Sequence, residues 1–160
     1  MRWLRGGQQR KARVDQRLDP IRIFTPMLEL EGSVAPTGQR ITDLLLRGQD
    51  LAFLPAGAAE APENWLFVAP SDILVVIPPP LPRAAQWTEP SERIGLSVEV
   101  PPYQVSGTAH LREGDALDLG FRTRHPFLPL TAATLSREGS IERFDVAIVN
   151  LGASVRFSST

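Results

Sequence analysis

The chain contains no cysteine and only two histidines among its 160 residues. Without cysteine it can form no disulfide, no thiolate nucleophile and no thiolate-bound metal or iron–sulfur cluster. Its longest uncharged apolar runs, such as residues 73–82, fall well short of the roughly 20 residues that cross a bilayer. We therefore expect a soluble, cytoplasmic protein that has no membrane span and needs no cofactor.

Sequence signatures of catalysis and of metal binding are also missing. His110 and His125 stand in no H-x-x-x-H arrangement, and the chain has no G-x-S-x-G, no G-x-G-x-x-G and no phosphate-binding P-loop. We expect both histidines to have ordinary structural roles at or near the surface. The sequence thus predicts no catalytic residue, no metal site and no enzyme.

Positive charge is concentrated in residues 1–19, which carry six basic and two acidic side chains, although the whole chain has a formal net charge of −1. The segment lacks the apolar stretch of a secretory signal. We interpret it as a basic N-terminal extension, either solvated or able to bind nucleic acid, an anionic membrane or an acidic partner. Its candidate ligand-binding residues are Arg10, Lys11, Arg13 and Arg17.

Four of the five residues from 78 to 82 are proline, and they open a proline-rich connector that we assign to residues 79–93. Proline donates no backbone hydrogen bond and favours extended geometry, so a stiff spacer is the simpler interpretation. A ligand for an aromatic groove is the alternative. The connector separates β repeat 1, over residues 20–78, from β repeat 2, over residues 94–160.

The two repeats match each other in order when the chain is shifted by 75 residues, with small slips at expected loops. The matched segments are 21–26 with 96–101, 30–34 with 105–109, Asp43 with Asp118, 53–55 with 127–129, and 68–69 with 146–147. Such self-similarity at a fixed spacing indicates a tandem duplication. We expect the two copies to pack on each other as one body.

Apolar residues mostly alternate with polar ones in both repeats, which is typical of half-buried strands. Gly32 and Gly107 fall on the apolar side of their strands, where glycine indicates a bend or a close backbone approach. Residues 37–47 predict a helix that Thr37 could cap, and residues 115–122 predict a shorter one with Ala116, Leu119 and Phe121 inward. The predicted fold is mainly β, with two tandem small SH3/Sm-like open barrels, each with a short helical insert, packed pseudo-symmetrically.

Residues 65–77 resemble the closing strand pair of an Sm-like domain. Residues 41–45, with Asp43-Leu-Leu, and residues 127–133, reading F-L-P-L-T-A-A, resemble uncharacterised bacterial small β-rich domains in tandem. Those domains have no established activity, so this resemblance implies none.

A further pattern concerns cyclic dinucleotides. Arg13-x-x-x-Arg17 followed by Asp43 and Gly48 is similar to the R-x-x-x-R and D-x-S-x-x-G elements of cyclic-di-GMP-binding PilZ domains, but Leu45 replaces the serine. This similarity implies that the arginines would clamp phosphates.

The sequence favours a non-catalytic binding or assembly module that acts through protein–protein contact or self-association. Small barrels of this kind have exposed strand edges, and an unpaired edge can bind another strand. If the units are Sm-like, three chains could close a pseudo-six-membered ring, and two chains could form a pseudo-tetramer. The alternative is nucleotide or nucleic-acid binding, to a cyclic dinucleotide or RNA, through the arginine-rich extension.

Overall fold

The computed structural model describes residues 18–36, 38–80 and 92–160. In these ranges the chain is mainly β, as the alternation predicted, with ten strands in one antiparallel sheet and two short α-helices, α1 (Ile41–Leu46) and α2 (Phe121–Arg124). The strands are β1 (Asp19–Phe24), β2 (Glu29–Val34), β3 (Leu51–Pro55), β4 (Leu66–Val68), β5 (Val75–Ile77), β6 (Glu92–Val100), β7 (Tyr103–Leu111), β8 (Phe127–Arg137), β9 (Ser140–Asn150) and β10 (Arg156–Ser159). Single turns of 3-10 helix lie at Pro62–Asn64, Pro70–Asp72 and Leu151–Ala153.

The strands of the first half, residues 18–80, pair in the order β5-β1-β2-β3-β4. The strands of the second half, residues 92–160, pair in the order β10-β6-β7-β8-β9. In chain order, both halves run strand, strand, helix, strand, strand, 3-10 turn, strand, and they make the same four pairings. The first half differs by one additional 3-10 turn, Pro62–Asn64, between β3 and β4. The halves join where β5 pairs with β9, and the described strands form an open sheet that ends at β4 and at β10.

The predicted boundaries of the repeats lie close to the starts of their first strands. β1 begins at Asp19, and β6 begins at Glu92, two residues inside the predicted connector 79–93. Residues 81–91 of that connector, together with residues 1–17, lie outside the described residues.

Two apolar clusters form the core, and each takes residues from both halves. The cluster of the second half includes Leu96, Val98 and Leu130, together with Val75 from the first half. The cluster of the first half includes Ile23, Val76 and Phe53, together with Ile148 and Phe127 from the second half. Because each core is completed across the junction, the two halves pack as one body.

The first two strands have the same register in both halves. Ile21 lies opposite Gly32 in the β1–β2 ladder, and Leu96 lies opposite Gly107 in the β6–β7 ladder. Leu96 and Gly107 each lie 75 residues after Ile21 and Gly32, which is the shift that matched the two repeats in sequence. In this part of the chain, the sequence match and the strand register agree.

Gly32 and Gly107 lie against the next strand, and the predicted close backbone approach is confirmed. A Cβ atom on Gly32 would overlap the carbonyl oxygen of Leu54 and the ring of Phe53. A Cβ atom on Gly107 would lie 2.9 Å from the carbonyl oxygen of Thr131. Only glycine lets the strands approach this closely.

The third strands have a different register from the one that the sequence match gives. Val34 lies opposite Phe53, whereas Ala109 lies opposite Leu130. If β2 corresponds to β7, then Phe53 corresponds to Leu130 and not to Phe127. The repeated letters F-L-P are therefore three residues out of structural register. A shift in the β7–β8 ladder between Ser106 and Thr108 accompanies this difference.

The helical inserts are shorter than the sequence predicts. Thr37 lies outside the described residues, and α1 begins at Ile41 with no side-chain cap on its first turn. Gly48 follows α1 with a φ of 71°, which suits glycine at the end of a helix. In the second half, residues 115–117 are irregular and residues 118–120 form a bend and a turn before α2. Phe121 is therefore buried as expected, but Ala116 and Leu119 are exposed.

Candidate interaction edges

The junction between the halves is the β5–β9 ladder, in which Val75 lies opposite Val149 and Val76 opposite Ile148. The amide of Asn150 extends it by donating to the carbonyl oxygen of Leu74 at 2.9 Å. All four valine and isoleucine side chains are at most 2% exposed. A short pair of strands thus buries apolar side chains on both faces of the sheet.

The side chain of Asn150 strengthens the junction. Its Nδ2 donates to the carbonyl oxygen of Ile73 at 2.8 Å, and its Oδ1 accepts from the amide of Ala153 at 3.3 Å. The residue is only 7% exposed. A buried amide without partners costs free energy. The bond to Ile73 joins the two halves, and the bond from Ala153, which belongs to the same half as Asn150, holds the side chain in place.

Arg22 on β1 links the halves at the surface. Its Nη1 and Nη2 donate to the carboxylate of Glu142 on β9 at 2.7 and 3.2 Å, and its Nε donates to Glu29 at 2.9 Å. Its guanidinium lies 5.2 Å from the ring centre of Phe24 and 5.3 Å from that of Phe144. The hydrogen bond from Arg22 is the main reason why the pKa of Glu142 lies below its usual range. The same bond raises the pKa of Arg22.

The two strands at the ends of the sheet expose apolar side chains. On β4, Leu66 is 45% and Phe67 is 71% exposed. Val155, directly before β10, is 69% exposed, and Phe157 on β10 is partly exposed. An exposed strand edge that carries apolar side chains is a binding surface for another strand. We call these two surfaces the β4 edge and the β10 edge.

Strand register relates both edges to the junction. Leu51 lies opposite Val68 and Leu128 lies opposite Val149, so β4 of the first half corresponds to β9 of the second. The sequence match of residues 68–69 with 146–147 is therefore also three residues out of register. In this correspondence, Phe67 takes the position of Ile148.

The last strands correspond in the same way. Ile23 pairs with Val76, and Val98 pairs with Phe157, so β10 of the second half corresponds to β5 of the first. Val155 then takes the position of Leu74, which is 5% exposed. Side chains that are buried at the junction thus have exposed apolar counterparts at the β4 edge and the β10 edge.

A second polar cluster holds the turns before α2. His125 Nε2 lies 2.5 Å from Asp115 Oδ2, and Arg124 binds both Asp115 and Asp118 at 2.9 Å. These contacts lower the pKa of Asp115, chiefly through His125, and that of Asp118, chiefly through Arg124. Phe121 packs beneath, with its ring centre 4.7 Å from that of His125. These contacts stabilise the loop before α2.

His110 lies on β7, where its Nε2 is 2.8 Å from the hydroxyl of Thr131, and burial lowers its pKa. Both histidines are partly buried and hydrogen-bonded within the fold. In the described ranges, no three acidic or histidine side chains cluster closely enough to hold a metal ion.

The predicted ligand-binding residues Arg10, Lys11, Arg13 and Arg17 lie outside the described residues, so the structure does not locate them. The edges were predicted only in general terms, without residues. The run Leu66-Phe-Val68 on β4 lacks the alternation of a half-buried strand, but it does not by itself identify the strand as an edge.

No described helix is both long enough and apolar enough to cross a membrane. No protein-family model, no curated protein and no solved structure matches the chain.

Proposed function

We propose that the chain is a non-catalytic binding and assembly module, built from two tandem SH3/Sm-like units, that acts through its two free strand edges. The observation that carries this proposal is the exposure of Phe67, Leu66 and Val155 on the β4 and β10 edges. Their counterparts in the junction are almost completely buried. We expect this activity in the cytoplasm.

The strand pairings support the idea that the units are copies of one ancestral module. Both halves make the same four pairings in the same order, and each has a glycine on its second strand packed against the carbonyl of its third. Two unrelated small sheets would have no reason to share the register of Gly32 and Gly107. If the two units are fused copies of one module, each unit uses one of its edge strands, β5 or β9, for the junction. The other edge strand of each unit, β4 or β10, then remains free within the chain.

Static light scattering over a range of protein concentrations tests the proposal. We expect the mean mass to rise above the 17.6 kDa of one chain as concentration increases. Phe67→Asp should reduce this association, because it places a charge in the proposed contact. The matched control is Ile141→Asp, which changes a residue of similar exposure, 65%, on the distant β8–β9 hairpin. A wild-type protein that stays at the mass of one chain throughout would contradict self-association.

Nucleic-acid or nucleotide binding by Arg10, Lys11, Arg13 and Arg17 is the second candidate, and the positive charge of residues 1–19 favours it. A variant that lacks residues 1–17 keeps β1, which begins at Asp19. Compared with the full chain, it should lose any salt-sensitive affinity for single-stranded RNA or for cyclic di-GMP. Equal affinity of both proteins for these probes would contradict a role for the extension.

A further inference from the structure

We infer that the partner of the two edges is a second copy of this chain, bound head to tail, with the β10 edge of one copy paired antiparallel to the β4 edge of the next. This inference rests on the proposed function and adds the partner and the register. In the register of the junction, Arg156 lies opposite Val68 and Phe157 lies opposite Phe67.

At the junction, a residue of one half completes the core of the other. Ile148 belongs to the second half, yet it packs in the apolar cluster of the first half beside Val76 and Ile23. Its counterpart on β4 is Phe67, which no described residue covers to the same extent, since it is 71% exposed. In the proposed contact, Phe67 of one copy packs on Phe157 and Val98 of the next.

The backbone groups correspond as well. At the junction, the amide of Asn150 donates to the carbonyl oxygen of Leu74. The corresponding donor on the β4 edge is the amide of Ala69, and the corresponding acceptor beside β10 is the carbonyl oxygen of Val155. Strand addition at a sheet edge derives its affinity from such main-chain bonds.

The two edges are different surfaces, so one copy offers each of them to a different neighbour. A contact of this kind is heterologous and extends until the chains close a ring, or grows into a filament if they do not close. A symmetric β4–β4 contact would cover Phe67 but would leave Val155 and Phe157 exposed. The head-to-tail contact covers both apolar edges at once.

The contact between copies lacks several features of the junction. Ala69 replaces Asn150, Ser97 replaces Arg22, and Arg156 replaces the buried Val75. The guanidinium of Arg156 must therefore reach water along the rim of the contact. We accordingly expect association that is reversible and depends on concentration, in contrast with the permanent junction.

Because the wild-type chain has no cysteine, single cysteines report the register directly. The amide of Asn150 donates to Leu74, so the adjacent pair, Val75 with Val149, is a pair without hydrogen bonds between its own residues. Such pairs have Cα atoms about 4.5 Å apart, which a disulfide can bridge. The corresponding positions between copies are Arg156 and Val68.

The experiment mixes a Val68→Cys chain with an Arg156→Cys chain under mild oxidation and measures covalent dimer. We expect a disulfide between the two chains in the mixture and none in either chain alone. The matched control replaces Arg156→Cys by Ser158→Cys, two residues out of register on the same strand, which should lose most of the cross-link. Circular dichroism of each variant confirms its fold before mixing.

The other outcomes distinguish this inference from the proposed function. Dimers of Val68→Cys alone would indicate a symmetric β4–β4 contact, which overturns the inference and leaves self-association intact. If light scattering shows association but the mixture of Val68→Cys and Arg156→Cys chains forms no cross-link, the inference is likewise overturned and self-association remains. A cross-link that forms only when residues 1–17 are deleted would mean that this segment occupies an edge in the full chain, which also overturns the inference. A protein that never associates would contradict both.

Discussion

The junction and the free edges use corresponding strands in opposite environments. At the junction, β5 and β9 bury Val76 and Ile148 almost completely. At the free edges, the corresponding residues are Phe157, which is partly exposed, and Phe67, which is 71% exposed. The difference supports the proposal that each half has two complementary edges, of which the chain satisfies only one pair internally. Four predictions test this comparison. The first three concern stability, from the largest expected effect to the smallest, and the fourth concerns association.

Aspartate at the two corresponding apolar positions should have different consequences. Ile148→Asp places an unpaired charge in a buried core and should lower the free energy of unfolding by about 3–5 kcal/mol. Phe67→Asp changes an exposed residue and should alter it by less than about 0.5 kcal/mol while weakening association. Urea unfolding at low concentration measures the stability, and light scattering measures the association. If Ile148→Asp and Phe67→Asp lowered the free energy of unfolding equally, the contrast between a buried junction and a free edge would be refuted.

Asn150→Ala removes the buried side-chain bond between the halves, from Asn150 Nδ2 to the carbonyl oxygen of Ile73. It leaves the carbonyl of Ile73 without this donor in a buried site, so the free energy of unfolding should fall by about 1–3 kcal/mol. Asn64→Ala is the matched control, because Asn64 also donates to a backbone carbonyl at 2.8 Å but in an exposed loop. In the same urea titration, the free energy of unfolding should fall clearly less for Asn64→Ala than for Asn150→Ala. Equal decreases for the two variants would show that burial at the junction does not strengthen the hydrogen bond.

Glu142→Gln should weaken the junction by up to about 1 kcal/mol at neutral pH, because the Arg22–Glu142 pair is partly exposed. Since the folded state lowers the pKa of Glu142, the pair stabilises the fold above the ordinary glutamate pKa and is lost as pH falls through the lowered value. The variant should therefore lose less stability than the wild type between neutral pH and that acidic range.

Thermal unfolding at a series of pH values measures this difference, with Glu60→Gln, an exposed residue outside the junction, as the control. Parallel pH profiles for Glu142→Gln and the wild type would argue against a contribution of the ion pair.

Ala69→Asn should add to the β4 edge the side-chain amide that Asn150 supplies at the junction. In the proposed register, its amide reaches the carbonyl of Ser154 of the next copy, the counterpart of Ile73. One such hydrogen bond contributes about 0.5–1.5 kcal/mol, so association should tighten roughly two- to tenfold. Sedimentation equilibrium measures the change, and weaker association of the variant would mean that the register is different.

The sequence predicted the strand pattern and the two glycines because both are local signals. Alternation at Ile21 and Ile23 reports one buried face, and glycine on an apolar face reports a close strand. The predicted correspondence of the third and fourth strands was wrong. It was based on the identical residues at 53–55 and 127–129, whereas the true correspondence depends on strand pairing, which no local sequence pattern reveals. Leu119 was expected inward for a similar reason. Its segment has helical spacing, but Asp118 and Arg124 hold it as turns.

The free edges were beyond residue-level prediction, since an edge is defined by which strands pair and not by its own letters. Phe67 and Ile148 are both apolar residues on short apolar runs, and nothing in either run tells which one the other half covers. The basic extension remains a prediction from charge alone, because Arg10 and its neighbours lie outside the described residues.

The most direct test of the account is amide hydrogen exchange, followed residue by residue over a range of protein concentrations. The account predicts that the amide of Asn150, bonded across the junction, exchanges slowly at every concentration. The amide of Ala69, its counterpart on the β4 edge, should exchange quickly in dilute protein and slow down as concentration rises. An Ala69 amide whose exchange rate is the same in dilute and in concentrated protein would contradict the account.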